Sequence, residues 1–367
     1  MQTKLANEDV VHQVWSRAVG NIVKGKAPAP LRARLGDQID MIIPQVAAAG
    51  LMSANPGFAK VLYAASYSSA KQNAWIVTRQ LGMPPDFFWK FEYWTQERAF
   101  ETMQKIIARV FAAIMAHHKE GVLELVAADV EHMRFEVTFQ ECVECSGLAT
   151  SDTICFFHAG LFTGILGSLL DKDLDAVELE CVAQGSKSCR FKIGSPADQE
   201  IEKPLEEKLD RLSLQMDYSN RMEASLKQDA IRSVGNLVDV GYYQLMLSSV
   251  FLTNMDVMSD AFLATGEKMG QALAPQMSRM FPGDAASAIS GFYTLLRYTD
   301  VRVKENEQGV EVQVEEAPEM IGPLAQAMPV PFLCGGLQSL LSALLHKPLH
   351  FQTAQRDGNT LRLFFGP

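Results

Sequence analysis

The chain has 367 residues, 48% of them apolar, and a formal net charge of −10. That length suggests two or three domains with sizeable cores, and the acidic balance disfavours nonspecific nucleic-acid binding, which depends on basic surface. No apolar run reaches the ~20 residues of a membrane-spanning helix, and the opening MQTKLANEDVV has no secretory leader pattern, so a cytoplasmic location is expected. Five of the six cysteines fall between Cys142 and Cys189. Such clustering points to metal or redox chemistry in a reducing compartment rather than to a disulfide framework. No nucleophile elbow, dinucleotide fingerprint or catalytic carboxylate pair stands out, and the sequence leans towards a non-enzymatic role.

Residues 8–118 read as mostly helical. An aromatic patch at Phe87, Phe88, Trp89, Phe91, Tyr93 and Trp94 reads as core, with pocket lining as the alternative. From Tyr93 to His118 one amphipathic helix is expected, with Phe100, Met103, Ile106, Ile107, Val110, Phe111 and Ile114 at helical spacing. His117 and His118 read as ordinary helix-end chemistry. Two strands follow, VLELVAADVE and MRFEVTFQEC. The second alternates Phe135, Val137 and Phe139 with polar residues. Cys142 and Cys145 form a CxxC at its end, open between incidental thiols, a redox pair and metal ligands.

A helix is expected near 153–171, carrying Cys155, His158 and Gly160. A hairpin over 174–194 carries Glu178, Cys181, a turn at Gly185 and Cys189. Three thiols and one carboxylate gathered by a helix and a hairpin make a candidate four-ligand site for zinc or another soft metal. Strand parity places Glu178 and Cys181 on opposite faces unless the strand bulges or ends near Glu180. His158, one helical turn from Cys155, is a rival ligand. The plain alternative is a set of buried cysteines acting as small hydrophobes.

Beyond the hairpin, residues 204–232 read as a charged linker helix. Leu205, Leu209, Leu212 and Met216 suggest a short coiled-coil seam. The strand–strand–helix–strand–strand order then recurs: a hairpin turning near Gly309, a helix in VPFLCGGLQSLLSALLHK and a hairpin turning at Asp357–Gly358. We read this as a degenerate second copy. Aligned loosely, Phe351 or Gln352 stands for Glu178, Thr353 or Ala354 for Cys181, and Leu361 or Arg362 for Cys189, so this copy lacks the ligands.

The stretch ICFFHAGLFTGILGSLLDKDLDAVELECVAQGSKSCRF (154–191) resembles the 4-vinyl reductase domain, found in small-ligand-binding proteins and in the sensor module of phenol-responsive regulators. The resemblance covers roughly residues 90–195. It implies a structural zinc held by Cys155, Glu178, Cys181 and Cys189, about one per chain. It also implies an α+β fold, a small antiparallel sheet flanked by helices, in two copies joined by a linker helix. Those regulators hold phenol with a His and a Trp, whereas this chain offers Arg134 and Ile106 or Ile107, so phenol is not the expected ligand.

The expected organisation is an N-terminal helical region (1–90), a first domain with the metal site (91–197), a linker or coiled-coil helix (198–235) and a degenerate second domain (236–367). The expected function is a cytoplasmic sensor or carrier for a small hydrophobic molecule, homodimeric and acting through an output partner protein. The rivals are a tetrapyrrole carrier or accessory in (bacterio)chlorophyll synthesis, a ligand-free assembly scaffold, and a redox enzyme using Cys142 and Cys145. Zinc confined to one domain implies that a chelator unfolds residues 1–195 and leaves 236–367 folded.

Overall fold

The computed structural model describes residues 2–19, 30–80, 95–107, 111–129, 131–198, 200–201, 219–251, 255–282, 284–326 and 330–367. The fold is α+β. The first half runs α1 (Gln2–Val19), β1 (Gln38–Asp40), α2 (Ile42–Ala54), α3 (Phe58–Gln80), α4 (Gln96–Ile106), α5 (Ala112–His118), β2 (Val122–Asp129), β3 (Arg134–Gln140), α6 (Phe156–Leu170), β4 (Asp175–Glu180) and β5 (Cys189–Gly194). The second half runs α7 (Ser219–Lys227), β6 (Leu237–Asp239), α8 (Val240–Phe251), α9 (Met255–Met280), α10 (Ala285–Leu295), β7 (Asp300–Asn306), β8 (Gly309–Glu315), α11 (Pro331–Leu344), β9 (His350–Asp357) and β10 (Thr360–Gly366). The aromatic patch at 87–94 and the heptad positions 205–216 lie outside the described residues.

Two antiparallel four-stranded sheets share one topology, ordered β2-β3-β5-β4 and β7-β8-β10-β9. The alternation read in β3 holds: Phe135, Val137 and Phe139 are buried. Each sheet is served by a close helix pair, α3 with α6 and α9 with α11. Small residues permit the approach. A Cβ on Gly160 of α6 would lie 2.1 Å from Ser66 Oγ and 2.3 Å from the Tyr63 carbonyl of α3, and one on Gly266 of α9 would lie 2.1 Å from the Phe332 carbonyl of α11.

The sequence concealed two features. The single helix expected over 93–118 is instead α4 and α5, described separately. Secondly, β1 and β6 pair antiparallel as a two-stranded ribbon, with Ile39 opposite Val238. Each is three residues long, too short for alternation to register.

The ribbon joins the halves in a matched way. The buried Arg32, ahead of β1, donates to the carbonyls of Arg297 (2.6 Å) and Tyr298 (3.1 Å) beside β7. The buried Arg232, ahead of β6, donates to those of Lys119 (2.8 Å) and Glu141 (3.1 Å) beside β2 and β3. Glu141 and Glu316 each follow a strand with positive φ, 53° and 59°. The Glu141 carboxylate accepts the N–H groups of Ser233 and Val234, and the Glu316 carboxylate accepts those of Ala33, Arg34 and Leu35. Gln45 donates to the Ser146 carbonyl (2.9 Å) as Gln244 does to that of Ile321 (3.1 Å). Each leading arm is therefore clamped by the sheet of the other half.

Candidate metal centre

The sheet order gathers the cysteines. Cys142 and Cys145 follow β3, Cys189 opens the middle strand β5, and Cys181 follows β4 on its far side. A tight turn, with the Ser146 N–H donating to the Cys142 carbonyl (2.9 Å), follows Glu141 and folds the CxxC back. Cys155 stands at the N-cap of α6. Glu178 and Cys181 reach one side because β4 is irregular. Glu178 pairs with Phe191 and Glu180 with Arg190, so Leu179 is the extra residue of a bulge. That bulge removes the parity conflict. Gly185, at φ 92°, then turns the chain back towards β5.

All five thiols and Glu178 are buried. Cys142 Sγ lies 3.5 Å from Cys155 Sγ, Cys145 Sγ 3.3 Å from Cys189 Sγ, and Cys155 Sγ 3.7 Å from Cys189 Sγ and 3.9 Å from Cys181 Sγ. Two four-donor sets each have all atoms within 4.8 Å of one another: Cys142, Cys145, Cys155 and Cys189; and Cys155, Glu178, Cys181 and Cys189. The second is the set expected from the sequence. A tetrahedral site with Zn–S bonds of about 2.3 Å has S···S edges of about 3.8 Å. The observed separations fit that shape, and the donor set is that of a soft cation.

The electrostatics belong to a crowd of thiols. Burial pushes the Cys145 and Cys155 thiols well up, reinforced by hydrogen bonding from Cys142. Cys142 opposes a lower value at Cys189, but Cys145, Cys155 and Cys181 pull it down to about 5. Burial, then the charges of Cys181 and Cys189, hold the Glu178 carboxyl well above the carboxylate range. Its Oε2 accepts the Cys155 N–H (2.9 Å). A bound cation inverts this balance by favouring every anionic form.

A polar chain that the sequence did not disclose supports the cluster. Glu144 accepts the Phe157 and His158 N–H groups (3.3 and 3.0 Å), anchoring the start of α6. His158 Nδ1 lies 2.6 Å from Glu144 Oε2 and Nε2 3.1 Å from Glu120 Oε2. Both ring nitrogens of this rival ligand are thus engaged by carboxylates. Burial opposes its charge, but Glu144, Cys142 and Glu120 hold its pKa well above the ordinary value. Glu120 continues to His118 Nδ1 (2.7 Å). His118, read from sequence as helix-end chemistry, is buried within this chain. Tyr242 of α8 stacks on His158, its ring 5.6 Å away and 15° from parallel. The signal for these groups was weak, because their partners lie far away in sequence.

The second half keeps the scaffold and loses the ligands. Val330 caps α11 as Cys155 caps α6, so Cys334 lies four positions further on. Leu361 faces Val314 as Cys189 faces Phe139. Ala354 faces Leu363 as Glu178 faces Phe191, so Ala354, rather than Phe351 or Gln352, replaces Glu178. Among the described residues of this half there is no set of ligand atoms that could hold a metal ion.

The family model of the 4-vinyl reductase domain matches residues 135–195. Residues 135–195 form a 4-vinyl reductase domain, the type expected from the sequence. All of the cluster lies inside this domain. The uncharacterized protein MJ0150 of Methanocaldococcus jannaschii is 22% identical over 188 residues, covering 51% of this chain and 92% of that protein. The uncharacterized protein MJ0745 of the same organism is 35% identical over 54 residues, 15% of this chain and 30% of that protein. Among solved structures, the phenol-responsive sensory domain of the transcription activator PoxR, with phenol, aligns at a TM-score of 0.30 and 14% identity, covering 44% of this chain and 74% of that one. Among the described residues no helix is long and apolar enough to cross a membrane.

Proposed function

We propose that this chain is a cytoplasmic sensor or carrier of a small hydrophobic molecule, built as two fused copies of one domain, with a structural zinc bracing the first. The observation that carries the metal reading is the burial of five thiols and Glu178 at tetrahedral spacing inside a 4-vinyl reductase domain. Cys155, Glu178, Cys181 and Cys189 hold the ion. Zinc bound there supplies folding energy, because the ligands come from separate elements and meet only in the folded chain. Glu144 fixes the start of α6 and with it Cys155. Glu120 and His158 set the charge behind Cys142.

The sensor reading draws on the 4-vinyl reductase domain, and the output partner follows from it. The domain limits are those expected from sequence, a first domain over 91–197 and a second over 236–367. Self-association is a separate part of the proposal, for which sedimentation at micromolar concentration is the check, a monomer ruling it out. For the ligand, native mass spectrometry of the freshly purified chain should show a small co-purifying apolar molecule. A Soret-like absorbance in the same sample would select the tetrapyrrole carrier instead, and a chain that never carries or takes up any apolar compound would select the scaffold.

A further inference from the structure

We propose that the thiol cluster is binuclear: Cys155 and Cys189 bridge two divalent thiophilic cations, one completed by Cys142 and Cys145, the other by Glu178 and Cys181. This rests on the reading of the cluster as a metal centre and extends it from one ion to two. The two compact donor sets have Cys155 and Cys189 in common, and no single compact set takes all six donors. The fold places them accordingly. Cys189 opens the central strand β5, with the CxxC beyond its β3 neighbour and the Glu178–Cys181 bulge on its β4 neighbour.

Cys155 and Cys189 lie 3.7 Å apart, the length of a shared tetrahedral edge. Terminal sulfurs lie 3.5 Å (Cys142) and 3.3 Å (Cys145) from the bridging pair on one side, and 3.9 Å (Cys181) on the other. A thiolate has lone pairs enough to bind two cations, so six residues give each ion four donors. A single ion held by either set leaves two buried donors of the other unused. Charge points the same way. Five thiolates and one carboxylate carry six negative charges, and two divalent ions leave two, the residual charge of an ordinary tetrathiolate zinc site. One ion would leave four unless thiols stay protonated, and unpaired buried charge is costly.

The test is a metal titration of the full chain. Apo protein is prepared with chelator under reducing conditions and titrated with Co(II), following thiolate-to-cobalt charge transfer and the electron paramagnetic resonance signal. Zinc bound after reloading is counted by elemental analysis and native mass spectrometry. The expected result is two zinc per chain, charge transfer rising to the second equivalent of cobalt, and a resonance that grows to one equivalent and then collapses as bridged ions couple. His117→Ala should leave both counts unchanged, which separates the cluster from the His117, His118 and Asp239 group. Cys142→Ser with Cys145→Ser should bind one ion. One zinc in the native chain, or two cobalt ions with an undiminished resonance, overturns the shared-thiolate arrangement and leaves the metal reading standing. No cluster-bound metal at all overturns both.

Discussion

Glu319 occupies in the second half the place that Glu144 holds in the first, three residues beyond a positive-φ glutamate. It accepts hydrogen bonds from the buried Tyr243 (3.0 Å) and Tyr298 hydroxyls. Burial raises its carboxyl pKa, against the lowering pull of those tyrosines. The folded state therefore holds this proton to higher pH than the unfolded chain. Stability should fall as pH rises above the ordinary carboxylate value of about 4.3, until the folded pKa is passed. Glu319→Gln should flatten that fall in a series of urea midpoints against pH, and an unchanged slope would show that Glu319 carries none of it. In the first half, Glu144→Gln weakens the anchor of α6 and should cost about 1–2 kcal/mol, as lost caps do. The thiols and Glu178 were legible in the sequence because chemistry and spacing are local there. Glu120, Glu144 and Arg232 were not, since each is defined by partners from distant segments.

The two helix pairs depend on glycine where backbones touch. Gly160→Ala drives a methyl into the Tyr63 carbonyl and Ser66, and Gly266→Ala drives one into the Phe332 carbonyl. Each should destabilise by about 1–3 kcal/mol or more, because packed backbones cannot shift independently. Urea unfolding of the two variants checks this, and a cost below the error of the measurement would mean that the helices relax apart freely. The strands and the helices carrying Cys155 and Cys334 were readable from alternation and apolar runs. The β1–β6 ribbon was hidden by its length. The β4 bulge was required by the proposed ligands but not readable from periodicity, since one added residue leaves no compositional mark.

Across the whole molecule, the crossed arms bear on how it unfolds. Arg32 and Arg232 each tie the arm of one half to carbonyls of the other. This argues against the independent halves expected from sequence and predicts one cooperative transition. A chelator should lower hydrogen-exchange protection in both sheets together. Arg232→Ala strands the Lys119 and Glu141 carbonyls, each at a cost of about 1–3 kcal/mol if buried, and should loosen β2 and β3 along with β6. Loss of protection confined to the first sheet after chelation would restore the independent view. The thiol cluster is the core of the proposal, and its metal content is the most direct measurement. Elemental analysis of the chain purified under reducing conditions without chelator should find zinc, and the Cys155→Ser, Cys189→Ser double variant should have lost it. A native chain that is folded, free of zinc and of any other thiophilic metal, and unable to take one up would contradict the metal centre.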